Sequence, residues 1–274
     1  MNLRMRPTSA LTLLLVSLVC AAAFLWPFVT TSPAVLAHAH DAPWVFAALL
    51  GLLALVCLAE VTADGLDAKT VAVMGVLCAA GGGLRVLSAG TAGLEPMFFL
   101  LVMAGAVLGP GAGFVVGALA LLTGGLLTGT IGPWVPFQMI TAGWVALGAG
   151  LLPTARLGRL GRRGLLAVYG LLAGLGYGLV MNLWFWPFLA TSMAPEGAGF
   201  VPGGDLATNA AHYATFYVLT SLGWDLPRGL LTAVLVWWAG PAVDRVLRRA
   251  VRRARFDASP TFVDRDVSVP QEAA

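Results

Sequence analysis

Charge is scarce in this chain. Only 11% of its 274 residues are Asp, Glu, Lys or Arg, against roughly 25% in soluble domains, and that shortage excludes a water-soluble globule. The GxxxxGK[ST] phosphate loop is absent, so ATP is not hydrolysed by that route. HExxH, a GxSxG elbow and a paired aspartate-rich motif for polyprenyl diphosphates are missing too. Histidine and cysteine number three each. Cys20, Cys57 and Cys78 lie singly in apolar runs with no CxxC spacing, which argues against a disulfide framework or a zinc site and leaves them as small hydrophobes. His38, His40 and Asp41 stand together without a third histidine nearby, so a solvated loop is the plainer reading than a metal site. Neither a cofactor nor a metal is expected.

What the chain does have is apolar length: 59% of its residues are hydrophobic and its mean hydropathy is +0.87. Such a chain is an integral membrane protein, divided into stretches of about 20 residues that each cross some 30 Å of hydrocarbon. The runs 8–28, 43–60, 69–87, 96–109, 112–129, 136–152, 164–189 and 227–243 predict an all-α polytopic protein of about eight transmembrane helices. The first run follows Arg4 and Arg6 but is long for a signal h-region and ends in Trp26-Pro27-Phe28, not in small residues, so it reads as a retained span. Run 96–109 is too short for lipid and reads as a buried helix, joined to the next by a tight break at Gly109-Pro110-Gly111.

Positive charge in short loops marks the cytoplasmic side. With both termini cytoplasmic, 14 of the 16 basic residues fall inside, leaving only Arg85 and Arg228. This arrangement predicts a multi-pass protein of the cell membrane. The basic stretch 244–255 rests against anionic lipid headgroups or a partner protein, and 256–274 reads as a disordered cytoplasmic tail. Nucleic acid is not an expected partner, because the arginines are grouped between apolar runs.

Polar residues inside a membrane protein are costly and mark function by default. On this topology they gather toward the outer side: Arg85, Glu95, Gln138, Asn182, Asn209, His212 and Tyr213, with Asp205, Tyr217 and Asp225 in the same long segment. Trp134, Trp184 and Trp186 accompany them, and residues 182 and 186 share a helix face. Together these predict an outward-facing aromatic pocket with a few hydrogen-bonding groups. An aromatic interface belt is the competing reading, and it takes Trp26, Trp44, Trp237 and Trp238 more readily than the others. Arg85 and Glu95 either pair with each other or touch a ligand, and Gln138 bonds either a neighbouring helix or a ligand. Gly75, Ala79 and Gly83 recur at intervals of four beside Ala72 and Ala80, a ridge on which another helix can pack closely. No acidic chain fits a proton relay and no inverted pair of broken helices stands out, so uphill transport needs energy from a partner.

From Lys69 to Arg253 the chain resembles the substrate-binding S component of the energy-coupling factor (ECF) transporters. The resemblance is carried by the ridge from Ala72 to Gly83, by Glu95-Pro-Met-Phe-Phe-Leu-Leu-Val-Met-Ala-Gly105, by Leu108-Gly-Pro-Gly-Ala-Gly-Phe114 and by Gly132-Pro-Trp-Val-Pro-Phe-Gln138, specific as an ordered set and weak singly. It implies a six-helix substrate-binding core at 69–255, preceded by two extra helices within 1–68. It also implies capture of a vitamin-like micronutrient from outside, with partners in a membrane T subunit, met through the ridge, and two ATPase subunits. Riboflavin-like, corrinoid and nucleobase-like ligands all suit an aromatic pocket of modest charge. Two other readings compete: a membrane enzyme acting on a lipid or isoprenoid, with His212 and Asp205 or Asp225 as acid and base, and a structural subunit without a ligand.

Overall fold

The computed structural model describes residues 7–29, 48, 51–55, 57–58, 68–88, 91–189 and 193–254. Most of the predicted span 43–60, together with His38, His40, Asp41, Trp44 and the tail 256–274, lies outside these residues. Among the described residues all regular structure is helical: α1 (Pro7–Val29), α2 (Ala68–Val86), α3 (Met97–Leu108), α4 (Pro110–Thr128), α5 (Val135–Leu151), α6 (Arg159–Asn182), α7 (Leu206–Thr220), α8 (Leu222–Trp238) and α9 (Gly240–Ala254), with short 3-10 turns. Among the described residues five helical stretches are long and apolar enough to cross a membrane, or six if the bent pair α8 and α9 is one span. The apolar runs predict eight. Much of the difference comes from 43–60, which is largely undescribed, and from α3, which is too short.

The axis of the bundle is α3. All twelve of its residues are buried, as expected of a helix that is apolar on every side. At about 1.5 Å per residue it spans about 18 Å, well short of the hydrocarbon thickness, so its environment is other helices. It contacts α2, α4, α5, α6, α8 and α9. Gly109, at φ +94°, reverses the chain while its N–H donates to the Gly105 carbonyl at 2.9 Å, and Pro110 then starts α4. The predicted hairpin is therefore present.

Lipid tails supply little hydrophobic drive for one helix to meet another, so close backbone approach at small residues carries the packing. A Cβ on Gly113 would stand 2.9 Å from the Gly105 Cα, and one on Gly174 of α6 would stand 2.5 Å from the Gly229 Cα of α8. The glycines of α2 divide by face. Gly81 and Gly82 are buried against Ala120 and Thr123 of α4, whereas Gly75 and Gly83 have nothing within 4 Å of a built Cβ, and Ala72, Ala79 and Ala80 are exposed.

Three predicted segments differ from the structure, one of them the run 164–189, whose helix α6 spans Arg159–Asn182 instead. The last span was placed at 227–243, but α8 begins at Leu222 with Pro227 inside it and ends at Trp238, where the chain bends by 68° into α9. Gly240 and Pro241 open the new helix, with the proline in the first turn, where its missing donor costs nothing. The sequence places no apolar run in the long connection before it. Its second half is α7, begun by Asp205, whose side chain accepts from the Thr208 N–H at 2.7 Å. The Thr208 side chain first, and then this amide, hold the Asp205 carboxyl below its usual range.

Helix α1 packs on the core along one face. Trp144 of α5 donates its indole N–H to Ser17 at 2.9 Å, and Phe24 meets Phe137 edge-on at 5.2 Å. Leu11, Leu14, Leu15 and Leu18 remain exposed on the other face. Cys20 and Cys78 are buried and Cys57 half-buried, and none is in a disulfide.

Candidate functional site

One end of the bundle collects the arginines of 156–163 and 245–252. The opposite end holds nearly all the predicted site residues, in two groups that behave differently.

The first group borders a cavity of about 520 Å³ between the ends of α5, α6 and α8. Trp134 and Gln138 form one wall, Asn182, Trp184 and Phe185 a second, and Ser221, Trp224, Asp225 and Arg228 a third. Trp134 and Trp184 are half-buried, their ring centroids 6.3 Å apart, and Trp184 stacks on Phe137 at 5.8 Å. Asn182, the last residue of α6, is buried and donates to the Ser221 hydroxyl at 2.6 Å, which joins the ends of α6 and α8. Gln138 accepts from Arg85 at 3.2 Å. Arg85 reaches it by laying its methylenes over Gly124, where any side chain would collide with them.

Behind the cavity is an ion cluster. Arg228 is buried, pairs with Glu95 at 3.0 Å and with Asp225 one turn before it, and lies against an edge-on pair of rings, 5.3 Å from Phe98 and 5.2 Å from Tyr177. Cation–π contact and two carboxylates together offset the desolvation of the guanidinium. The sequence leaves Arg85 and Glu95 either paired with each other or touching a ligand, and in the structure they do not pair. Instead Glu95 serves Arg228 and Arg85 serves Gln138, because α3 packs beside α8 and the Arg85 side chain, at the end of α2, reaches α5 across Gly124 of α4. Asp225 fits only because residue 178 is glycine: a Cβ there would fall on its carboxylate. Among the described residues Asp225 Oδ2 and Arg228 Nε are buried without a hydrogen-bond partner, a deficit a ligand or water entering the cavity can relieve.

The second group ties down the connection between α6 and α7. Trp186 is fully buried and donates its indole N–H to the Ala198 carbonyl at 2.8 Å, inside a cluster with Phe28, Phe200 and Tyr213. Asn209 is buried and makes a two-way link to Val201, accepting from its N–H at 3.0 Å and donating to its carbonyl at 3.1 Å. His212 Nδ1 lies 2.7 Å from the Gly199 carbonyl, and the Tyr213 hydroxyl donates to the Leu179 carbonyl. None of these four borders the cavity. The one-turn spacing of residues 182 and 186 placed them on a common face, but α6 ends at Asn182 and the following 3-10 turn sends Trp186 into the core.

Sequence reasoning left Tyr177, Ser221, Trp224 and Arg228 out of the site. For Arg228 a signal was present: it and Arg85 are the two basic residues that the charge-sidedness count did not absorb. Metal-binding clusters of His, Cys, Asp or Glu are absent among the described residues. His212, Asp205 and Asp225 engage separate partners.

Set against protein-family models, curated proteins and solved structures, the chain gives no match. Fold and site thus define a class: a helical protein with several membrane-length apolar helices and, at one end, an aromatic cavity backed by buried ions.

Proposed function

We propose that this chain is the membrane-embedded substrate-binding S component of an ECF-type importer, taking up a vitamin-like micronutrient. On this reading the protein makes about eight crossings with both termini in the cytoplasm, α2 to α6 together with α8 form the six-helix core, and the arginine-rich end faces inward. The observation that carries the reading is the 520 Å³ cavity at the opposite end. Its volume falls in the range of about 300–1,000 Å³ usual for small-molecule sites, and it is lined by aromatic faces with a few amides and hydroxyls. Buried polar atoms left without partners beside it favour a binding site over a purely structural subunit.

In this role Trp134, Trp184 and Trp224 clasp a planar ligand while Gln138 and Asn182 supply orienting hydrogen bonds. Arg85 fixes Gln138, and the Arg228 cluster sets the polarity of the cavity floor. Trp186, Asn209, His212 and Tyr213 hold the adjoining connection in place. The uncovered face of α2, with Ala72, Gly75, Ala79, Ala80 and Gly83, offers the T subunit a surface of close approach. The chain has no phosphate loop, so its ATPase partners supply the energy.

The test is binding by the purified full-length chain, followed by its tryptophan fluorescence during titration with riboflavin, cobalamin and adenine in the absence of ATP. The proposal expects saturable binding of one of them, and co-purification of a T subunit and ATPases from native membranes. Turnover of a labelled lipid or isoprenoid by the chain alone, abolished by His212→Ala, would replace this reading with the enzymatic one.

A further inference from the structure

The arginine-rich end has a cavity of its own, about 530 Å³ in volume, between the start of α6 and the bend from α8 to α9. Its rim carries Arg159, Arg162, Arg163 and Arg245 with a single carboxylate, Asp244. That carboxylate is already shared, by Arg162 at 2.5 Å and by Arg248 at 2.9 Å. Arg159, Arg163 and Arg245 therefore face the cavity with no ion-pair partner among the described residues. Arg163 Nε is buried and unbonded, and its guanidinium sits 4.5 Å from the ring centroid of Trp237. The floor is apolar, made by Met103, Leu166 and Val236. Leu160 of the lining is 68% exposed, and Trp238, next to the cavity with its ring 6.0 Å from the Arg163 guanidinium, is 74% exposed.

We infer that this cavity holds the phosphate of an anionic phospholipid. Cations in excess over carboxylates call for an anion, and basic pockets between membrane helices take phospholipid headgroups. The apolar floor and the exposed leucine and tryptophan beside it select a lipid over a free phosphate: a soluble anion gains nothing from them, whereas an acyl chain leaving the cavity lies along them. Exposed tryptophan next to arginine is also the composition of a membrane–water interface. The inference rests on the membrane reading and is independent of the importer proposal. A bound headgroup would bridge α6 to α9 across the bend and hold the two helices together.

Native mass spectrometry of the full-length chain, released from nanodiscs of equimolar phosphatidylglycerol and phosphatidylcholine, tests it. Retention of phosphatidylglycerol in preference to phosphatidylcholine is expected, resistant to an excess of soluble glycerol phosphate. The triple variant Arg159→Gln/Arg163→Gln/Arg245→Gln should lower that retention about tenfold or more, on the scale of the attraction of several basic residues to an anionic surface. Arg249→Gln/Arg252→Gln, on the same helix away from the cavity, should leave it unchanged. Equal retention of both lipids by the unaltered chain overturns the inference, and so does full competition by glycerol phosphate. Equal loss in the two sets of variants overturns it as well, by showing a diffuse basic surface in place of a site. Micronutrient binding at the opposite end is a separate readout, so the failure of either claim leaves the other standing.

Discussion

The two ends of the bundle carry cavities of nearly equal volume, about 520 and 530 Å³, and both contain arginine, yet they solve the problem of charge in opposite ways. In the first, Arg228 pairs with two carboxylates and lies against two aromatic rings, and the cavity presents indoles, two amides and hydroxyls beside it. In the second, arginines outnumber carboxylates and stay at the rim. An enclosed, compensated ion holds helices in register; an uncompensated, rim-exposed one is available to an outside anion. Volume alone does not distinguish a site for an aromatic solute from a site for a phosphate.

The sharpest way to break this contrast is to remove one arginine from each end. Arg228→Met leaves the buried Asp225 and the half-buried Glu95 without their partner, which should cost about 3–5 kcal/mol, the range for breaking a buried pair from one side. Thermal melting in detergent would show it as a large fall in Tm. Arg163→Gln, at the other end, should lower the melting temperature far less, since no carboxylate depends on it. Equal losses would erase the distinction.

A smaller effect sharpens the division within the first end. Trp186→Phe keeps the ring in its cluster but deletes the donor to the Ala198 carbonyl, a loss of about 1 kcal/mol. It should reduce stability modestly and leave ligand affinity unaltered, because Trp186 does not border the cavity. A tenfold loss of affinity with unchanged melting would return Trp186 to the site.

The smallest effect is one of pH. Asp205 accepts the Thr208 N–H at the start of α7, and its carboxyl is held below the usual range. For a carboxyl depressed in the folded state, the stabilisation is complete above its unfolded pKa and disappears as pH falls through the folded value. Amide exchange at the first turn of α7 should therefore quicken only in acid below the ordinary carboxylate range, and Asp205→Asn should flatten that dependence.

Much of the architecture was legible in the apolar runs. The bounds of α1, α2, α4 and α5 fall within two or three residues of the predicted runs, because caps and breaks such as Gly109-Pro110 are local signals. The short α3 was readable as a buried helix from its length alone. Pro227 misled, since it lies inside α8, a position where proline is costly and a helix boundary is the usual outcome. The site was legible as a neighbourhood and less so in its pairings. Gln138, Asn182 and Trp184 came together as composition suggested, but which carboxylate meets which arginine depends on the order of helices around the bundle, and periodicity does not encode that order. Trp186, Asn209, His212 and Tyr213 carry the same residue types as a binding site; only their bonds to backbone carbonyls and amides reveal them as fastenings.

The central claim is that the carboxylate-backed cavity binds a small molecule through its indoles and amides, with no engine of its own. Affinity of the full-length chain for whichever of riboflavin, cobalamin and adenine it binds, measured without ATP before and after the double substitution Asn182→Ala/Trp184→Ala, tests this most directly. A loss of about 100-fold is expected, the scale of removing a buried hydrogen bond and an aromatic contact together, with Tm lowered only slightly. Undiminished affinity in a folded double variant would contradict it.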